Sequence, residues 1–135
     1  MQRILVVDDQ ESILVVLSEL LALIGFDVVV ATSGSEGLTK FLKDPFDLVL
    51  TDLKMSGMDG LSFAIKIKQQ SSTTPVILMT GEPKEAVSKK LKGNWIDSVL
   101  FKPFEFKDVQ KTIKGVLDSR SLKVETLPLA SSTKA

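Results

Sequence analysis

A chain of 135 residues, 44% hydrophobic and 25% charged, has the composition of one soluble globular domain with a substantial core. Its 17 basic residues balance 17 acidic ones, so the whole chain carries no electrostatic footprint for nucleic acid. With no Cys and no His, the sequence excludes a disulfide scaffold, a thiolate nucleophile, ordinary zinc ligation and imidazole acid/base chemistry, and any metal is expected to be a hard cation with oxygen ligands.

Ile4 to Val7 is a continuous apolar run and predicts a buried strand. Ile13, Leu14, Leu17, Leu20, Leu21 and Ile24 follow helical spacing, and Gly25 suits the stop. Val28 to Val30 is a second strand. Ser33 or Ser35 opens a helix through Leu38 and Phe41 to Leu42, which Pro45 keeps from continuing. Phe46 to Thr51 is a third strand, ending at Asp52. Gly57 and Gly60 bracket a loop, and Leu61 to Ile67 is helical. Pro75 to Met79 is a fourth strand. Pro83 starts a helix that reaches Leu91, and Gly93 ends it. Ser98 to Phe101 is a fifth strand, and Phe106, Val109, Ile113, Val116 and Leu117 stripe a last helix. From Ser119 the chain reads SRSLKVETLPLASSTKA, so a domain over 1–119 is expected to be followed by a flexible tail or the start of a linker over 120–135. The apolar stretch from Ile13 to Ala31 contains Ser18, Glu19, Gly25 and Asp27, too many interruptions for a membrane span. Met1-Gln2-Arg3 leads straight into a strand rather than a signal peptide, so a cytoplasmic setting is expected.

Strands alternating with helices predict an α/β fold, a doubly wound five-stranded parallel sheet with helices on both faces. Ligands in such folds sit beyond the carboxyl ends of the strands. Asp8 and Asp9 follow the first strand, Asp52 the third, Thr80 the fourth and Lys102 the fifth. Adjacent carboxylates repel, and burial worsens this unless water, a helix N-terminus, a basic side chain or a cation offsets it. Singly, each residue has an ordinary explanation as a cap, a turn residue or a solvated charge. Independent caps, however, have no reason to converge at four strand ends. Three carboxylates at one rim call for a cation, and Mg²⁺ suits them. With Lys102 to neutralise phosphate oxygens and Thr80 to donate a hydrogen bond, the set suits phosphoryl transfer.

Four stretches in order, ILVVDDQE, DLVLTDLKMSGMDG, VILMTGE and FKPF, resemble the receiver domain of bacterial two-component response regulators, chemotaxis-regulator-like, over roughly residues 3 to 119. The resemblance implies a flavodoxin-like sheet of strand order 2-1-3-4-5. It implies Asp52 as the phosphoacceptor and Mg²⁺ as the cofactor. The ion would be held by Asp9, by Asp8 through water, by Asp52 and by the backbone carbonyl of Lys54. Thr80 would swing toward the phosphoryl group, Lys102 would pair with it, and Pro103 would follow a cis peptide. The implied partners are a sensor histidine kinase or histidine phosphotransfer protein, whose phosphohistidine Asp52 attacks, and a downstream output domain or protein. Neither nucleic acid nor membrane is implied as a partner of this domain. It would be a signalling switch, catalysing only its own phosphorylation and dephosphorylation.

Three positions depart from the family pattern: Ser56 stands where Pro is usual, Trp95 lies in an unusual GNWID turn, and Val99 replaces a common aromatic switch residue. Val99 has one stiff torsion and no ring, so a smaller change is expected, concentrated in the loops after Asp52 and Thr80. Phe101 projects from the same side of the strand. It either supplies the missing aromatic surface or packs with Val99 under the last helix. On the first helix, Val15 and Ala22 form a second side expected to meet the phosphodonor protein. Two other readings are a receiver-like scaffold without phosphorylation and a hydrolase of the haloacid-dehalogenase type. The intact acidic trio opposes the first. Adjacent rather than alternate carboxylates, and the want of a cap-length segment, oppose the second.

Overall fold

The computed structural model describes residues 2–133, with side chains as far as Ser119. The elements are β1 (Arg3–Val7), α1 (Glu11–Leu23), β2 (Asp27–Ala31), α2 (Gly34–Lys43), β3 (Leu48–Asp52), α3 (Gly60–Gln70), β4 (Val76–Thr80), α4 (Lys84–Lys90), β5 (Ser98–Phe101) and α5 (Phe106–Thr133). All strands pair in parallel, in the order β2-β1-β3-β4-β5. This is the flavodoxin-like order that the resemblance implied.

The continuous apolar runs follow from burial on both faces. Successive strand side chains point to opposite sides. Ile4, Val6, Leu48 and Leu50 therefore join Leu14, Leu17 and Leu21 of α1 and Val109 and Ile113 of α5 in one core. Leu5, Val7 and Val49 join Phe63, Ala64 and Ile67 of α3 in the other. Truncating a fully buried Leu50 or Phe63 to Ala is worth about 2–5 kcal/mol.

The helix starts decide what remains available at the carboxyl rim. Ser33 caps α2, its Oγ accepting from Glu36 N at 3.1 Å, while Glu36 Oε1 accepts from Thr32 N at 2.7 Å. Asp59 caps α3 through Ser62 N at 2.8 Å. Gln10, not Asp8 or Asp9, occupies the N-cap of α1, and its side chain makes no capping bond. Neither carboxylate after β1 is consumed as a helix cap.

One expectation needs adjustment. Val99 packs with Leu53, Leu78 and Val87 on the α4 side, whereas Leu100 faces α5 and Phe101 is 38% exposed. Val99 and Phe101 therefore do not pack together under the last helix. The backbone of α5 continues past Ser119 to Thr133, with no break where the sequence changes character. The tail expected over 120–135 lies partly outside the described residues, which end at 133, with side chains ending at Ser119. No helix among the described residues is long and apolar enough to cross a membrane.

Candidate functional site

Parallel strands bring their carboxyl ends to one edge. The register pairs Val7 with Thr51, Asp52 with Met79 and Thr80 with Phe101, which places the residues after β1, β3, β4 and β5 side by side. A cleft of about 500 Å³ opens there. Asp9, Gln10, Asp52, Lys54, Thr80, Gly81, Glu82 and Lys102 border it. One carboxylate oxygen from each of Asp8, Asp9 and Asp52 lies within 4.8 Å of the others. Every expected site residue is thus at this edge.

The trio is not uniform. Asp8 is fully buried, Asp52 nearly so, and Asp9 is exposed. Asp8 Oδ1 accepts from Gln10 N at 2.9 Å. Lys102 Nζ donates to Asp8 Oδ2 at 3.4 Å and to Asp52 Oδ1 at 3.1 Å, reaching between the two buried carboxylates. Leu53 N also donates to Asp52 Oδ1, at 3.0 Å. Both hydrogen bonds to the Asp52 side chain fall on Oδ1, and among the described residues Oδ2 takes none. Burial pushes the Asp52 carboxyl above the ordinary aspartate range, and the Asp8 charge adds to this. The hydrogen bond from Lys102 opposes both. Three carboxylates against one ammonium leave negative charge uncompensated. The donors are all hard oxygens, one set of them exposed, which fits a small divalent cation such as Mg²⁺.

Thr80 ends β4, and its Oγ1 accepts from Glu82 N at 3.0 Å. Lys102 N donates to Thr80 O at 2.7 Å, and the Lys102–Pro103 peptide is cis. Two supporting residues escaped the sequence reading. Gly60 packs directly against the end of β3: its N donates to Leu53 O at 2.7 Å, and a Cβ there would lie 2.0 Å from Asp52 O. Glu82, visible within VILMTGE but given no role, borders the cleft and accepts from Lys90. That hydrogen bond holds its carboxyl below the usual range. A glycine closing a loop and an acid two residues past a strand carry no distinctive spacing, so only the folded backbone singles them out.

A sequence profile of the response regulator receiver domain matches residues 4–114. The transcriptional regulatory protein ZraR of Escherichia coli (strain K12) is 36% identical over 131 residues, covering 96% of this chain and 30% of that protein. The chain therefore spans about a third of the length of such relatives. The chemotaxis protein CheY4 of Vibrio cholerae is 32% identical, with a TM-score of 0.82 over 86% of this chain and 98% of that one. The response regulator TrrA of Thermotoga maritima, solved in complex with Mg²⁺-BeF, is also 32% identical, with a TM-score of 0.76 over 86% of this chain and 99% of that one.

Proposed function

The chain belongs to the response regulator receiver domain family, and from that premise we propose that Asp52 is the phosphoacceptor of a Mg²⁺-dependent signalling switch. The observation that carries this reading is the setting of Asp52. It is buried, held through Oδ1 alone, and flanked by two further carboxylates and one ammonium. Leu53 N and Lys102 fix Oδ1, which leaves Oδ2 to attack phosphorus.

The donor, as the family implies, is a phosphohistidine on a partner kinase or phosphotransfer protein, and the absence of His from this sequence fits that division of roles. As the P–O bond to Asp52 forms, the P–N bond breaks and the imidazole leaves with the electron pair. Water later attacks the phosphorus of the acyl phosphate, releasing inorganic phosphate and restoring the carboxylate. Lys102, 3.1 Å from Asp52, stays within reach of a phosphoryl oxygen, and the Thr80 hydroxyl turns to donate to another. Asp9, Asp52, the Lys54 carbonyl and, through water, Asp8 would hold the ion, a reading supported by the Mg²⁺-BeF complex of the Thermotoga maritima relative. Bound there, Mg²⁺ supplies neutralising charge for the phosphoryl oxygens. The switch acts in the cytoplasm and passes its state to an output domain or protein.

Acetyl phosphate with Mg²⁺ should add one phosphoryl mass to the chain, and Asp52→Asn should abolish the addition. Equal labelling of Asp52→Asn would show that the acceptor is another residue. No labelling of the wild type would favour the scaffold reading.

A further inference from the structure

Some element must carry the state of Asp52 outward, and β5 is poorly equipped for it. Val99 lies in the Leu53–Leu78–Val87 cluster with a stiff side chain and no ring. The turn after β4 offers another route. Glu82 N donates to Thr80 Oγ1 at 3.0 Å. The Glu82 side chain, 15% exposed, takes Lys90 Nζ on both oxygens, at 2.8 and 3.0 Å. Lys90 closes α4. One residue therefore holds the Thr80 hydroxyl through its backbone and the last turn of α4 through its carboxylate.

The helix it holds is lightly anchored. Its 7 residues bury a single side chain, Val87. Ser88 bonds only to Lys84 O, within the helix. Among the described residues, no α4 side chain other than Lys90 makes a hydrogen bond or ion pair outside the helix. An element with so little burial shifts at low cost.

We propose that Glu82 is a positioning residue that passes the phosphorylation state of Asp52 from Thr80 to the last turn of α4 through Lys90. The inference rests on Asp52 as acceptor and Thr80 as the residue that turns. When the Thr80 hydroxyl moves to a phosphoryl oxygen, Glu82 N loses its acceptor, and a partly buried donor does not stay unpaired. The turn re-forms, and the two-oxygen grip on Lys90 takes the end of α4 with it. The two arrangements differ in contacts, which is what a phosphoryl group needs in order to shift a population. The change is then not confined to the loops after Asp52 and Thr80, as the sequence leads one to expect, but extends into α4, while β5 is largely spared.

Backbone amide NMR shifts, recorded with and without beryllofluoride and Mg²⁺, test this in the full chain. In the wild type, residues 84–91 respond together with the loop after Asp52, and residues 98–100 respond weakly. Lys90→Met should cut the α4 response about threefold or more while leaving the Asp52-loop response and acetyl phosphate labelling unchanged. Lys90→Arg should restore it, which separates coupling from a general disturbance of the helix. A full α4 response in Lys90→Met overturns the proposal, as does a wild type in which the Asp52 loop responds and α4 does not. No response anywhere, the Asp52 loop included, overturns the acceptor reading and this inference with it.

Discussion

Replacing Gly60 by Ala adds one methyl group and should damage both the fold and the site. The added Cβ would lie 2.0 Å from Asp52 O and 2.9 Å from Leu53 Cα. A carbon and a carbonyl oxygen normally approach no closer than about 3.3 Å, so the backbones must separate by more than about 1 Å. Both clashing atoms are backbone, and no side chain can rotate away. Separation also lengthens the 2.7 Å bond from Gly60 N to Leu53 O, worth about 1 kcal/mol. Overpacking adds about 1–3 kcal/mol. The better helix propensity of Ala returns at most about 1 kcal/mol at this first helical position. The net loss is about 2 kcal/mol, or roughly 6–8 °C in Tm for a chain of this length. Asp52 moves with its carbonyl, and a displacement near 1 Å can slow a positioned reaction about 100-fold. Gly115→Ala is the control, because at this exposed position of α5 a Cβ meets nothing within 4 Å, and it should stabilise by up to about 1 kcal/mol. Thermal unfolding by circular dichroism, with acetyl phosphate labelling rates, measures both effects. A Gly60→Ala protein that melts and labels like the wild type would refute the reasoning.

Asp52→Asn should make the metal-free protein more stable at neutral pH, since burial raises the Asp52 carboxyl. A raised folded-state pKa gives a contribution present below the unfolded value of about 3.9 and lost as pH rises through the folded value. The advantage of Asn should therefore grow through the acidic range and level off above it; urea midpoints favouring the wild type at pH 7 would contradict this. Mg²⁺ should raise the Tm of the wild type and do so much less for Asp9→Asn, and equal shifts would remove Asp9 from the ligand set. Val15, 54% exposed, offers apolar surface on α1, the helix that follows Asp8 and Asp9 in the chain. Val15→Lys should slow transfer from the cognate phosphodonor protein and leave acetyl phosphate labelling unchanged, whereas equal slowing with both donors would indicate a damaged domain.

Much of this was legible because double-sided burial writes itself plainly into a chain. Ile4 to Val7 and Val76 to Met79 are apolar at every position, and the polar residue after each run marks a strand end. Asp8, Asp9, Asp52, Thr80 and Lys102 were readable for that reason. The strand order and the cis Lys102–Pro103 bond came with the resemblance alone, since neither has a local signal. Alternation placed Val99 and Phe101 on one side of β5, but only the packing of α4 shows which side that is. Gly60 reads like any loop glycine until Asp52 O is seen beneath it. The pairing of Glu82 with Lys90 spans a turn whose path spacing does not reveal.

The reach of Lys102 to Asp8 joins residues 94 positions apart in the chain. Between them in the chain lie β2, β3, β4 and β5, and the ammonium meets the carboxylates only when β1 and β3 are in register and β5 has been added at the edge. Contacts of such separation form late, after the entropy of closing long loops has been overcome. A nascent chain that has not yet supplied its fifth strand has Asp52 but no ammonium beside it. If Asp52 takes the phosphoryl group as proposed and needs Lys102 beside it, labelling would report that the last strand has joined the sheet.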